Sequence, residues 1–364
     1  MKILELDTPV LTIDADALDR NIERMKDMTA AAGIQYRPHA KTHKSAIIAR
    51  MQTEAGAIGV CCAKLGEAEV MAAAGIDNIL ITTAVIGESK IGRLMHARNQ
   101  AQIAVVADND DNIDMLGRIA QLSGQKLDVV VEIDIGQGRC GVPPGPEAAR
   151  LAKIIDDHGW LNFAGLQGYQ GKIQMVTDTG ERRTATETGL DLFAATIAEV
   201  ENAGLKVRIK TGGGTGTSPF DLDRGLLTEL QTGSYVFMDS RYRGIGWPGA
   251  NEPPFEQSLH ILTSVVSKPA PDRVIVDAGL KSASSDHGPP MIADVEGRIY
   301  EFGGDEHGII RMADGGEVPW TIGDKLRLIP SHCDTTVNLY DQFMVVQGDS
   351  VVDVWPIDTR GKTQ

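Results

Sequence analysis

LDVVVEIDIGQGRCGVPPGPEAARLAKIIDD, residues 127–157, is the stretch on which the fold turns. Leu127 to Ile133 is an apolar, β-branched run with the length of a buried strand. A glycine-rich turn follows, and from Glu147 to Asp157 apolar residues return at i, i+3, i+4 spacing, as in a helix that packs on one face. The same unit recurs on both sides. Strand-like runs stand at Gln35 to Pro38, Ala57 to Cys62, Ile79 to Thr83, Ile103 to Ala107, Phe163 to Tyr169, Val207 to Thr211 and Thr228 to Gln231. Helical patterns fill Asp16 to Ala32, Lys64 to Ala74, Asn112 to Gln121 and Glu187 to Ala203. Eight strand–helix units predict an α/β fold of parallel strands with right-handed crossovers, closed into a (β/α)8 barrel that leaves no sheet edge.

A barrel of about 250 residues leaves roughly 110 for a second domain. The texture changes after Arg243 to a Gly/Pro-rich linker, GIGWPGANEPP. Short alternating runs follow near Ile261 to Val266, Arg273 to Asp277, Arg298 to Phe302, Lys325 to Ile329, Phe343 to Val346 and Val351 to Trp355, with no clear amphipathic helix between them. These predict a mostly antiparallel β domain made of residues 1–14 and 246–364, joined by the extended segment Thr8 to Ile13, beside a barrel of residues 15–245.

The net charge of −15 opposes binding to nucleic acid or anionic lipid, and no Lys/Arg cluster overrides it. The acidic start MKILELDTPV lacks the apolar run of a signal peptide, and no stretch approaches the ~20 apolar residues of a membrane span. A cytoplasmic protein is expected. Its four cysteines, at 61, 62, 140 and 333, form neither a disulfide framework nor a CxxC pair. Cys61, Cys62 and Cys140 are expected to pack as small apolar side chains.

In barrels, chemistry sits at the carboxyl ends of the strands, and phosphate is commonly held by the loops after strands seven and eight. Those loops here are Thr211-Gly212-Gly213-Gly214-Thr215-Gly216-Thr217 and Thr232-Gly233-Ser234-Tyr235. One such run could be only a flexible turn. Two at the places the fold predicts point to a phosphorylated ligand held by bare amides and the hydroxyls of Thr215 and Ser234. At the end of the first strand, Arg37-Pro38-His39-Ala40-Lys41-Thr42-His43-Lys44 projects Lys41 into the barrel mouth. Desolvation and cationic neighbours there are expected to lower its pKa and permit a Schiff base, while Lys44 is expected at the surface. Arg139, among glycines after the fifth strand, either clamps an anion or braces its loop against Asp134.

Taken together, RPHAKTHK, GVCCAK, VEIDIGQGRCGV, GLQGYQG, TGGGTGT, ELQTGSYVFMD, VIVDAGLKS, DEHG and LRLIPSHCDTTVN resemble the pyridoxal-phosphate (PLP) enzymes of fold type III. The resemblance spans nearly the whole chain and is nearest to the D-threonine aldolase and D-serine dehydratase family. It implies that Lys41 carries PLP, that Arg139 contacts its phenolic oxygen, and that Gly213, Gly214, Thr215, Gly233, Ser234 and Tyr235 hold its phosphate. Thr211 belongs to the same cofactor shell. Tyr169 and the nearby Gln231 would stand at the pyridine ring, where neither protonates the nitrogen as a carboxylate partner does, so side reactions would be suppressed.

Ser331-His332-Cys333-Asp334 is similar to the family's His-x-Asp or His-x-Cys metal pair. Alternation along an extended segment would put His332 and Asp334 on one face, with Cys333 turned away. Imidazole plus carboxylate suits manganese or magnesium, whereas the dehydratase-like His-x-Cys suits zinc. The resemblance therefore implies PLP- and metal-dependent retro-aldol cleavage of a D-3-hydroxy amino acid, with Lys41, His332 and Asp334 catalytic, in a head-to-tail homodimer. A D-3-hydroxy amino acid dehydratase is the alternative. A cofactor carrier without activity is a third reading, opposed by the additional β domain. Aldolases of this family carry a histidine just after the glutamine matched by Gln174, where this chain has Met175, leaving His43, His307 or a metal-held hydroxide to fill its role.

Overall fold

The computed structural model describes residues 1–250, 252–293 and 295–364. Eight parallel strands, Gln35–Tyr36, Val60–Cys62, Ile79–Ile81, Ile103–Ala107, Leu127–Ile133, Leu161–Gly168, Ile209–Gly212 and Glu229–Leu230, follow one another around the first sheet. The last pairs with the first through Gln35↔Glu229 and Tyr36↔Leu230. Between the first and second strands the ring is closed by main-chain bonds from Ile58 N–H to Tyr36 O (3.0 Å), Cys61 N–H to Pro38 O (2.8 Å) and Ala40 N–H to Cys61 O (2.8 Å).

Alternation divides each strand between two environments. In Leu127–Ile133, Leu127, Val129, Val131 and Ile133 join the large core under the helices. Val130 instead packs inside the barrel with Cys61, Leu80, Val106 and Ala164. Two residues further along three of these strands the interior turns polar: Thr82 follows Leu80, Glu132 follows Val130, and Thr211 follows Ile209. The barrel is plugged by hydrocarbon at mid-height and lined by hydrogen-bonding groups at its carboxyl end.

The helices begin and end where local chemistry dictates. Ala15–Ala32 starts at Asp14, whose side chain accepts the Ala17 N–H, and stops at Gly33, at φ +67°. Asp110–Ser123 uses Asn109 and Gly124 (φ +68°) in the same way. Ala46–Glu54, Glu88–Ala97 and Ser218–Arg224 are further helices for which no periodic pattern was assigned. Thr179–Asn202 begins eight residues before the expected Glu187 because its first turns bury an arginine rather than apolar side chains. Arg182 is fully enclosed. Its guanidinium donates to Gly216 O at 3.0 Å and also to the carbonyls of Val176 and Gly246, with the rings of Phe220 and Trp247 5.6 and 5.9 Å away.

The second sheet is mostly antiparallel. Val10–Asp14 lies inside it, antiparallel to Leu259–Ala270 through Val10↔Leu262 and parallel to Gln342–Gln347 through Thr12↔Met344. Arg273–Val276, Arg298–Phe302, Lys325–Ile329 and Ser350–Pro356 fall where alternation put them, whereas Met291–Ile292 and Gly308–Met312 had no reading. Cys333–Val337 is a short helix, not the extended segment expected, with His332 as its extended N-cap residue. Among the described residues, no helix is long and apolar enough to cross a membrane.

Candidate active site

At the carboxyl end of the barrel a cavity of about 460 Å³ is lined also by His287, His332 and Asp334 from beyond the barrel. Lys41, Arg139, Tyr169, Gly214, Thr215, Gln231, Gly233, Ser234, His332 and Asp334 all line it. Three residues assigned to the same shell do not. Thr211 lies one step beneath, accepting a hydrogen bond from Gln231 Nε2 at 2.9 Å. Gly213, at φ +71°, backs onto Asp221. The ring of Tyr235 is buried against Phe255, and its hydroxyl accepts from Gln52 Nε2 at 3.0 Å. Only its main chain reaches the loop, where its N–H donates to Thr215 Oγ1 at 3.1 Å.

Lys41 leaves the first strand on a turn fixed by His39. That ring is buried, which pushes its pKa well down; its Nδ1 accepts the Lys41 N–H at 3.4 Å, and its Nε2 lies 3.0 Å from Thr82 Oγ1. Lys41 Nζ stands 3.8 Å from Asp334 Oδ1, with the side chain 40% exposed. Burial works against its charge, but Asp334 and then Tyr169 outweigh burial, so the ammonium is held above its ordinary value, opposite to the expected lowering. Lys44 is not at the surface: it is buried, with Nζ 2.8 Å from Glu67 Oε1. Arg139 is free of Asp134, which accepts the N–H groups of Gly136 and Gly138 instead, and its guanidinium lies 5.7 Å from the centre of the Tyr169 ring.

The glycine loop is shaped by a residue to which sequence reading gave no such role. Gln174 Oε1 accepts the N–H groups of Gly216 (3.0 Å) and Thr217 (3.2 Å), and its Nε2 donates to Thr217 Oγ1. A Cβ at 216 would fall 1.9 Å from Gln174 O, and one at 214 would fall 2.5 Å from Gln174 Oε1. These glycines admit Gln174 as much as any ligand. Gly214, Thr215, Gly233 and Ser234 are the parts left facing the cavity.

Below them runs a hydrogen-bonded chain of fixed polarity. Thr82 O can only accept, so Gln167 points Nε2 at it (3.2 Å) and offers Oε1 to Gln231 Nε2 (3.0 Å). Both hydrogens of the Gln231 amide are thereby used, the second on Thr211, and its oxygen remains an acceptor. Beside this chain, burial pushes the Glu132 carboxyl up to about 7 against the pull of Arg139.

The second domain supplies the other wall. His332 Nε2 and Asp334 Oδ2 are 3.5 Å apart, and Thr42 Oγ1 donates to the same Asp334 oxygen at 3.2 Å, joining that wall to the Lys41 turn. Cys333 is buried, its S–H donating to Met238 O at 3.1 Å and its thiol pushed far up by burial, so it offers no thiolate. The pair meets where the extended residue His332 runs into the first turn of the Cys333–Val337 helix, not by alternation along one strand. Cys140 is exposed rather than packed. The histidines lining the cavity are His39, His287 and His332; His43 is buried behind it, with its pKa pushed down to about 4, and His307 lies exposed elsewhere. Met175 lines the wall. Asp286 and His287 lie in a turn between strands, where a lone Asp-His carries no periodic or spacing signal.

The family model for the alanine racemase N-terminal domain matches residues 13–241, and that for a putative serine dehydratase domain matches residues 258–346. A D-threonine aldolase from Arthrobacter sp. is 41% identical over 359 residues, covering 99% of this chain and 94% of its own. A 3-hydroxy-D-aspartate aldolase from Paracoccus denitrificans strain Pd 1222 is 38% identical over 363 residues, covering 98% and 93%. The crystal structure of D-threonine aldolase from Filomicrobium marinum superposes with a TM-score of 0.96 at 38% identity, covering 100% of this chain and 98% of that one. The chain belongs to the D-threonine aldolase and D-serine dehydratase family of fold type III. Like the aldolases in this family, it is a lyase. Its alanine racemase-like barrel and added β domain are the family's architecture, with the cavity at their junction.

Proposed function

We propose that this enzyme cleaves a D-3-hydroxy amino acid of the D-threonine type to glycine and an aldehyde, using PLP on Lys41 and a divalent metal at His332 and Asp334. The observation that carries the reading is the meeting of Lys41 Nζ and Asp334 Oδ1, 3.8 Å apart, across the junction of the two domains. An amine, an arginine, and neutral hydroxyl and amide donors fit a phosphorylated aldehyde. An imidazole nitrogen and a carboxylate fit a hard divalent ion, manganese or magnesium before zinc. When bound, PLP delocalises the electron pair left on Cα, and the cation acidifies the β-hydroxyl by several pKa units.

The chain's own groups do the rest. Gly214, Thr215, Gly233 and Ser234 would hold the phosphate end, Arg139 would neutralise the phenolic oxygen, and Tyr169 and Gln231 would meet the ring. Neutral His39 keeps Lys41 aimed into the cavity, and Lys41 Nζ is placed to return a proton to Cα after cleavage. Met175 gives an apolar wall where the resemblance to aldolases of the family leads one to expect an imidazole, and on this reading the β-hydroxyl proton leaves on the His332–Asp334 side.

The same lysine could instead remove the α-proton, as a dehydratase requires, and Met175 in the place of a histidine favours keeping that second reading. Products separate them. D-threonine, D-3-hydroxyaspartate and D-serine would be incubated with the holoenzyme; glycine and acetaldehyde in equal amounts from D-threonine are expected. A 2-keto acid with ammonia would overturn cleavage in favour of dehydration, and no turnover of any of them would point to a carrier. We also infer a head-to-tail homodimer, whose second subunit would cover the open mouth and exclude water. A fully active monomer in light scattering would rule it out.

A further inference from the structure

We infer that Asp286 is a positioning residue for the metal centre, fixing through His332 which ring nitrogen is free to bind the ion; this rests on the reading that His332 and Asp334 hold a metal. His332 Nδ1 lies 2.6 Å from Asp286 Oδ2. A carboxylate accepts only, so Nδ1 carries the hydrogen, and the Nε2 lone pair is left on the side of Asp334, 3.5 Å away.

Asp286 is itself held. Its Oδ1 accepts from Ser284 Oγ at 2.7 Å and from Thr335 Oγ1 at 3.1 Å. The two segments are further joined by Ser331 Oγ to Gly288 O (2.7 Å) and Ser284 N–H to Thr336 Oγ1 (3.2 Å). The His287 ring stacks on His332, 4.4 Å between centres and 7° from parallel, which limits tilting of the ligand ring.

Asp286, His287 and His332 also satisfy the spacing of a separate three-residue metal site. Two features count against that use. A separation of 2.6 Å is a hydrogen bond, shorter than the gap of about 3 Å between two donors on one ion with bonds near 2.1 Å. Parallel stacked rings, moreover, direct their in-plane lone pairs side by side rather than at one point. A carboxylate on the outer nitrogen of a ligand histidine is the arrangement that orients the ring and raises its basicity, and its loss typically costs tenfold to about a hundredfold in metal affinity.

The test is manganese binding to the PLP-loaded protein, followed by electron paramagnetic resonance of free Mn²⁺, with the His332 tautomer read by long-range 1H–15N NMR of the metal-free protein. Asp286→Ala is expected to raise the Kd for Mn²⁺ by about tenfold to a hundredfold. Asp286→Asn keeps an acceptor and should fall between it and wild type. Wild-type His332 should carry its hydrogen on Nδ1, and in Asp286→Ala it should shift toward Nε2, a change that loop destabilisation alone would not produce. Equal Mn²⁺ affinity in wild type and Asp286→Ala, or an unchanged tautomer, would overturn the inference and leave the metal reading standing. Wild type that binds no Mn²⁺ would overturn the metal reading, and the inference with it.

Discussion

Lys41→Ala is expected to abolish the covalent link to PLP and lower kcat for D-threonine cleavage by at least about a thousandfold. Lys41 is at the end of the first barrel strand, within the cavity, between the glycine loops and the His332–Asp334 wall. No other lysine combines those features. Lys44 is committed to Glu67 at 2.8 Å, and Lys64 does not line the cavity. Lys172 lines it but stands on the far loop beside Gly138. Borohydride reduction of the holoenzyme followed by peptide mapping should return the cofactor on Lys41 alone. Its recovery on Lys172 or Lys44 would mean that the strand-end reading is wrong. The variant should still fold, because among the described residues the Lys41 side chain makes no hydrogen bond and has only a loose ion pair, to Asp334 at 3.8 Å.

The second large effect is metal removal. Chelation with EDTA, His332→Ala and Asp334→Ala should each lower kcat by on the order of a hundredfold, equivalent to about 2.7 kcal/mol of barrier, while the absorption of bound PLP survives. Manganese should restore the chelated wild type but neither variant. The two losses differ in a second readout. Asp334 also accepts from Thr42 and faces Lys41, so Asp334→Ala should shift the lysine's behaviour, and hence the absorption band, more than His332→Ala does. Asp334→Cys would install the soft ligand of the His-x-Cys pair and should move metal preference toward zinc. Full activity on D-threonine in enzyme shown by elemental analysis to be metal-free would end this account.

How much of this was legible in the sequence follows from what a linear pattern can carry. Leu127–Ile133 and its seven counterparts were legible because alternation and β-branching are local consequences of burial. That Lys41, Arg139 and Ser234 would line the barrel mouth was legible because each stands in the segment that follows such a run. The early start of Thr179–Asn202 was not, because the side chain buried there is Arg182, satisfied by the nearby Val176 carbonyl and by those of Gly216 and Gly246, 34 and 64 residues away. Tyr235 was assigned to phosphate through its neighbours, but its ring follows the core and only its amide the loop. Gln174 and Asp286 act through partners 42 and 46 residues away, and no spacing rule reaches that far. Lys41's raised pKa depends on Asp334, which the fold brings from the other domain.

The strand Val10–Asp14 has a consequence for the order in which the protein can be made. Its parallel neighbour, Gln342–Gln347, is translated roughly 330 residues after it, some tens of seconds at about 5–20 residues per second. The barrel strands, each beside its predecessor, can assemble while synthesis continues, but the sheet of the domain that carries His332 and Asp334 cannot close until Gln342–Gln347 has been delivered. Activity therefore should appear only after that strand has been made. A nascent chain arrested after the barrel holds an apolar strand without its partners, the state in which a chaperone has the most to protect.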